Sequence, residues 1–179
     1  MSNYRKVLNI AEKPKVARRI AEIISNHSMR TESTQSTYNP VYAFPLFIGS
    51  GEKIEMFVTS VSGNIMDFKF VGEERSWKDT DPVIFLKEKN VQSTVIDSAV
   101  DCVENLKYHA KNSHTIILWL DCDREGEAIA GDCQEICKSA NPKAVIKRAR
   151  FSSLDVQSIN RALQRLDVVD IGMVNVWPP

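Results

Sequence analysis

Residues 115–127 read Thr115-Ile116-Ile117-Leu118-Trp119-Leu120-Asp121-Cys122-Asp123-Arg124-Glu125-Gly126-Glu127. The first six residues have the apolar, β-branched character of a buried strand. The next seven carry four carboxylates, and from about residue 125 to 139 the apolar side chains Ala128, Ile129, Cys133, Ile136 and Cys137 recur at helical spacing. A strand that ends in acids and turns directly into a helix is the unit of an α/β domain, where ligands gather at the carboxyl ends of strands. Asp121 and Asp123 alternate by two, so they project the same way while the chain stays extended. Glu125 and Glu127 fall in the turn and the first helical turn. So many like charges repel one another unless a cation neutralises them, and hard oxygen donors favour magnesium. Gly126 permits a tight strand-to-helix junction, and Arg124 can meet a phosphate through a two-pronged contact.

Three other readings of this heptad compete. Acids favour the first turn of any helix electrostatically, but that accounts for one or two carboxylates rather than four beside an apolar strand. Asp121, Asp123, Glu125 and Gly126 approximate the first, third, fifth and sixth positions of an EF-hand loop, which however needs a preceding helix and a glutamate where Asp132 stands. Phosphatases that form an aspartyl-phosphate also place Asp-x-Asp after an apolar strand, yet they follow it with Thr or Val rather than Arg-Glu-Gly-Glu.

Working outward, residues 6–11 (KVLNIA) form a second apolar run, read as a buried strand, and Pro14 suits the first turn of a helix that buries Val16, Ala17, Ile20, Ala21 and Ile24. Glu12 and Lys13 sit at that junction. Such a pair is usually a cap or a surface ion pair. If the strands at 6–11 and 115–120 are neighbours, however, Glu12 lands beside Asp121 and Asp123, able to ligate a metal or exchange a proton, with Lys13 able to hold a phosphate. Residues 25–39 read as a surface loop, and 41–48 and 53–59 as a hairpin turning at Gly49–Lys53. Residues 59–64 read as a loop, and 65–95 carry mixed signals. A helix over 97–111 through Ala99, Val100, Val103, Leu106 and Ala110, a strand over 144–149 and a helix over 153–166 complete the pattern. Strands alternating with helices predict an open, mostly parallel sheet.

Composition narrows the classes. A chain of 179 residues, 43% apolar, can bury one sizeable core or about two small ones. Lys plus Arg equals Asp plus Glu at 23 each, so any nucleic-acid contact must be local rather than global. No apolar run approaches the ~20 residues of a membrane-spanning helix, and the start has no signal-peptide layout. Cys102, Cys122, Cys133 and Cys137 lack a secreted-scaffold spacing and read as free thiols of a reducing compartment, cytosolic or nuclear, which makes the Asn26-His27-Ser28 sequon incidental. Cys133 and Cys137 share a helix face and read as packing rather than a metal pair. His27, His109 and His114 lie in polar surroundings and suggest no site. Trp77, Trp119 and Trp177 can stack on bases, with Trp119 better placed as core.

The strand ending in Glu12-Lys13-Pro14, the segment Thr59-Ser60-Val61-Ser62-Gly63, the Asp121–Glu127 heptad and Arg150-Phe151-Ser152 together resemble the Toprim domain of type IA DNA topoisomerases, in particular the eukaryotic topoisomerase III branch of alpha type. The resemblance spans roughly residues 5–170. It implies a Rossmann-like, open, mostly parallel sheet with helices on both faces. The implied domain covers 1–170 with a β-rich insertion around 38–95, followed by a divergent tail at 171–179. It implies Glu12 and Lys13 as catalytic residues, the first exchanging a proton with the leaving 3′ oxygen and the second positioning the scissile phosphate. Glu12, Asp121, Asp123 and Glu125 would hold Mg2+, and Lys13 and Arg124 would contact DNA phosphate. The implied activity is cleavage, ATP-independent strand passage and religation on single-stranded DNA, in DNA recombination and repair. The implied partners are the family's gate domains and, by resemblance only, a RecQ-type helicase with its accessory proteins; no membrane is involved. The implied location is the nucleus, with a mitochondrial form as a variant. Lys15 and Asn64 depart from the family pattern, Asn64 standing where relatives usually have His. The family's Arg-Gln-Glu-Leu-Asp-like continuation and nucleophilic tyrosine are not matched, since Tyr4, Tyr38, Tyr42 and Tyr108 lie in no such motif. The chain is therefore expected to be truncated before the gate domains and inactive alone. The alternative is a non-catalytic truncated module that binds metal or nucleic acid.

Overall fold

The structure is a computed structural model that describes residues 4–34, 36–49, 51–70 and 91–170. Trp77, Trp177, the tail 171–179 and the middle of the 65–95 segment lie outside the described residues. The central strand is β1 (Arg5–Ala11), flanked by β4 (Glu52–Ser60) and β7 (Thr115–Trp119). β8 (Val145–Arg148) lies beyond β7, and β3 (Val41–Ile48) and β2 (Arg30–Glu32) lie beyond β4, giving the order β2-β3-β4-β1-β7-β8. The pairings β4–β1, β1–β7 and β7–β8 are parallel, whereas β3–β4 and β2–β3 are antiparallel. β5 (Met66–Phe70) and β6 (Val91–Val95) form a separate antiparallel pair. The helices are α1 (Pro14–Ile24), α2 (Val100–Lys111, entered through a 3-10 turn at Asp97–Ala99), α3 (Arg124–Ala140) and α4 (Val156–Gln164).

Side chains alternate across a strand, so a sheet covered on both faces needs strands that are apolar at every position. β1 and β7 meet that requirement. Leu8, Ile10, Ile116 and Leu118 pack under α2 and α3 through Val103, Leu106, Ile129, Cys133 and Cys137. On the other face Val7, Ala11, Ile117 and Trp119 pack under α1 and α4 through Ala17, Ile20, Ala21, Ile159 and Ala162. The one polar residue of the β1 core, Asn9, is fully buried and satisfied: its Nδ2 donates to the Phe57 carbonyl at 3.1 Å, and its Oδ1 accepts from Trp119 Nε1 at 3.0 Å.

Four local expectations need correction. The 25–39 segment contains the short strand β2, hydrogen-bonded to the edge of β3; tertiary pairing overrides its polar composition. Val100 opens α2 with 46% of its surface exposed, and Ala128 is exposed on α3, where the inward stripe runs through Ile129, Ala130 and Cys133 instead. His109 is not in a polar setting: it is buried against the Phe57 ring at 5.3 Å, and burial lowers its pKa.

Candidate metal and phosphate site at the carboxyl edge of the sheet

Because β1 and β7 are parallel neighbours, with Ala11 opposite Trp119, Glu12 and Asp121 leave the sheet at adjacent strand ends. The Asp121 backbone N–H donates to Glu12 Oε2 at 3.3 Å. Lys13 Nζ lies 2.9 Å from Glu12 Oε1 and 3.9 Å from Asp121 Oδ2, so the ammonium sits between the two carboxylates. Glu12 is buried, while the side chains of Lys13 and Asp121 are 60% and 51% exposed. Burial and then the charge of Glu12 push the Asp121 carboxyl up; Lys13 opposes the shift, and Asp123 adds to it. The hydrogen bond to Glu12, and then its charge, hold Lys13 above its usual range. Lys13 thus places a positive charge against both carboxylates.

Asp123 remains extended (φ −125°, ψ −180°) and is the N-cap of α3, its Oδ1 accepting from the Gly126 N–H at 2.7 Å. One of its oxygens is therefore committed to starting the helix. Gly126 is demanded by contact rather than by dihedral angle: a Cβ there would lie 2.1 Å from the Asp121 carbonyl oxygen and 2.9 Å from its carbon. Arg124 and Glu125 are exposed on the first turn. Glu127 is not part of the exposed cluster. It is fully buried, with Oε1 3.0 Å from Arg148 Nε and 2.9 Å from Arg150 Nη1, and Oε2 accepting from the Asp170 N–H at 3.3 Å.

Reading the residues alone missed Arg148, whose side chain is entirely buried at the end of β8. Its Nη1 donates to the Leu118 and Ala149 carbonyls, and its Nη2 to those of Leu120 and Asp121, at 2.8–3.1 Å. The available signal was an arginine inside a segment expected to be a strand of the sheet, which needs an acid close by if it is buried.

Among the described residues, no three Asp, Glu, His or Cys side chains already converge as a metal site. The fold brings Glu12 and Asp121 together, sets Asp123 beside them as a cap and leaves Glu125 on the exposed first turn. In kind the donors suit Mg2+, which binds through one or two carboxylates completed by water and substrate phosphate. Burial raises Asp121 first and the neighbouring charge of Glu12 second, and a bound cation would offset both.

A strand-end acid pair on this sheet, followed by a carboxylate-capped helix, defines a class. The chain belongs to the Toprim domain family, whose model matches residues 7–154. It is 38% identical over 160 residues to DNA topoisomerase 3-alpha of Arabidopsis thaliana, covering 89% of this chain and 17% of that protein. It is also similar to DNA topoisomerase 3 of Dictyostelium discoideum (37% identical, 90% and 19% covered) and to DNA topoisomerase 3-alpha of Homo sapiens (32% identical, 95% and 17% covered). The chain spans under a fifth of the length of these relatives.

Proposed function

We propose that the carboxyl-edge cluster is the acidic, Mg2+-binding half of a type IA topoisomerase site that cuts and reseals one DNA strand. The observation that carries this reading is the Lys13 ammonium held between Glu12 and Asp121, at 2.9 and 3.9 Å. Such an arrangement can receive a phosphodiester once the lysine turns from its carboxylate to a phosphate oxygen. Glu12, buried and within reach of Lys13, gives a proton to the leaving 3′ oxygen and takes it back on religation. Lys13 and Arg124 hold the backbone phosphates of single-stranded DNA. Glu12, Asp121, Asp123 and Glu125 are the residues that would hold Mg2+, which when bound supplies charge that neutralises phosphate and aligns the strand ends for resealing.

The attacking hydroxyl comes from outside this cluster. Tyr42 is buried under α1, Tyr4 and Tyr108 line a cavity with Lys6 at the amino end of β1, and Tyr38 is exposed ahead of β3 with, among the described residues, no hydrogen bond to Glu12, Lys13 or Asp121. ATP-independent strand passage, a nuclear location and work alongside a RecQ-type helicase follow from the same reading.

The test is Mg2+ titration of the Asp121→Asn, Asp123→Asn double variant by calorimetry. Asparagine caps a helix as well as aspartate does, so the fold should persist while Mg2+ binding is lost. Unchanged binding in the folded double variant refutes the assignment. The 179-residue chain alone is expected not to relax supercoiled DNA, and robust relaxation by it would overturn the need for an external nucleophile.

A further inference from the structure

We infer that Arg148 is a positioning residue, which fixes the backbone of the acidic loop so that Asp121 faces Glu12. The inference rests on the metal-site reading above and concerns a residue outside the proposed ligand set. The sheet ladder between β7 and β8 ends at Leu118 opposite Arg148, so the carbonyls of Leu120 and Asp121 lie past the last paired residues. A buried carbonyl needs a donor. Arg148 supplies two, with Nη2 2.8 Å from the Leu120 oxygen and 2.8 Å from the Asp121 oxygen. Its Nη1 holds Leu118 and Ala149 in the same way, so a single rigid fork extends the ordered part of β7 as far as the first acid.

From the other side, the Gly126 backbone lies so close to the Asp121 carbonyl that no Cβ fits between them. The Asp121 peptide is thus gripped between a guanidinium and a helix start. That grip leaves its N–H aimed at Glu12 Oε2, 3.3 Å away. Glu127 supplies the charge that allows a guanidinium to be buried here, and Arg150 and the Asp170 N–H hold Glu127 in turn.

A purely stabilising role fits less well. A buried ion pair generally stabilises a fold no better than apolar residues of the same volume, and this one directs both of its Nη2 hydrogen bonds to the Leu120 and Asp121 carbonyls at the start of the acidic loop. Lysine cannot substitute, because three donors on one nitrogen cannot span carbonyls on two sides of the loop.

Two variants test this: Arg148→Lys, which keeps a cation beside Glu127, and the pair Arg148→Met with Glu127→Met, which removes both charges together. Each is assayed by thermal unfolding, by hydrogen exchange of the Asp121 amide and by titration with Mg2+ alone. Both should melt cooperatively, lose protection at the Asp121 amide and bind Mg2+ about tenfold to a hundredfold more weakly. If either folded variant retains wild-type Asp121 protection and wild-type Mg2+ affinity, Arg148 is structural only and the inference is overturned. If the wild-type chain itself binds no Mg2+ while Asp121 protection still collapses in the variants, the metal reading fails and the positioning role stands.

Discussion

Substituting Gly126 by alanine provides a direct test of how tightly the acidic loop and α3 are fitted. In an open helix position this change stabilises by about 1 kcal/mol, because alanine is the better helix former. Here the added Cβ would stand 2.1 Å from the Asp121 carbonyl oxygen, 2.9 Å from its carbon and 3.0 Å from its nitrogen, all of them backbone atoms. An ordinary carbon–oxygen contact needs more than about 3 Å, so the helix start and the Asp121 peptide must part by roughly 1 Å. Overpacking of this kind costs about 1–3 kcal/mol, and more where backbone must move. With the cost at the upper end of that range and the propensity gain of about 1 kcal/mol set against it, the net loss should be about 1–2 kcal/mol, or a Tm lower by roughly 2–8 °C for a domain of this size. Because the moving peptide carries Asp121, Mg2+ affinity should fall as well. Gly51→Ala is the control: its φ of +90° costs the turn some strain, but nothing lies within 4 Å and the site is untouched. Thermal melts and Mg2+ titrations of both variants decide the matter. A Gly126→Ala chain that melts higher than wild type and binds Mg2+ normally would refute the close-contact argument.

Further outcomes follow from the same geometry. Lys13→Met removes the cation that competes for Glu12 and Asp121, so Mg2+ should bind roughly two- to fivefold more tightly while any capture of phosphate weakens; weaker Mg2+ binding by calorimetry would contradict this. Asn9→Ala leaves Trp119 Nε1 and the Phe57 carbonyl without partners in the core and should lower stability by about 2–4 kcal/mol in urea unfolding. Burial, together with the charge of Glu135, pushes the Asp132 carboxyl up from 3.8 to about 6. The folded chain holds that proton more tightly than the unfolded chain does. Its contribution to stability is therefore complete below the unfolded value and is lost as pH rises through about 6. Asp132→Asn should consequently be more stable than wild type at pH 7 by about 1–2 kcal/mol after allowance for solvent screening, the gap closing towards pH 4; parallel stability–pH curves would contradict it.

Much of the architecture was readable from local pattern. The runs at 6–11 and 115–120 became β1 and β7, and the apolar stripe after Asp123 became α3, because periodicity and capping chemistry act over a few residues. The strand β2 was not readable, since three polar residues become a strand only by pairing with the edge of β3. Within the heptad, Glu125 and Glu127 look equivalent as letters. They stand two residues apart on a helix, however, about 200° around its axis. One therefore faces solvent, while the other points inward to Arg148.

The amino-acid order alone was enough to place acids at the end of a buried strand and a helix directly behind them. It also marked Glu12 and Lys13 as a junction of the same type. Whether those two junctions share a site depended on strand order, which no local pattern encodes. β1 and β7 lie side by side, and that adjacency brings Glu12 to within 3.3 Å of the Asp121 amide across 109 residues of chain. Side-chain direction and partners then divided the acids into two groups. Glu12, Asp121, Asp123 and Glu125 remain at the carboxyl edge, while Glu127 is drawn into the interior because a guanidinium buried there requires a counter-charge.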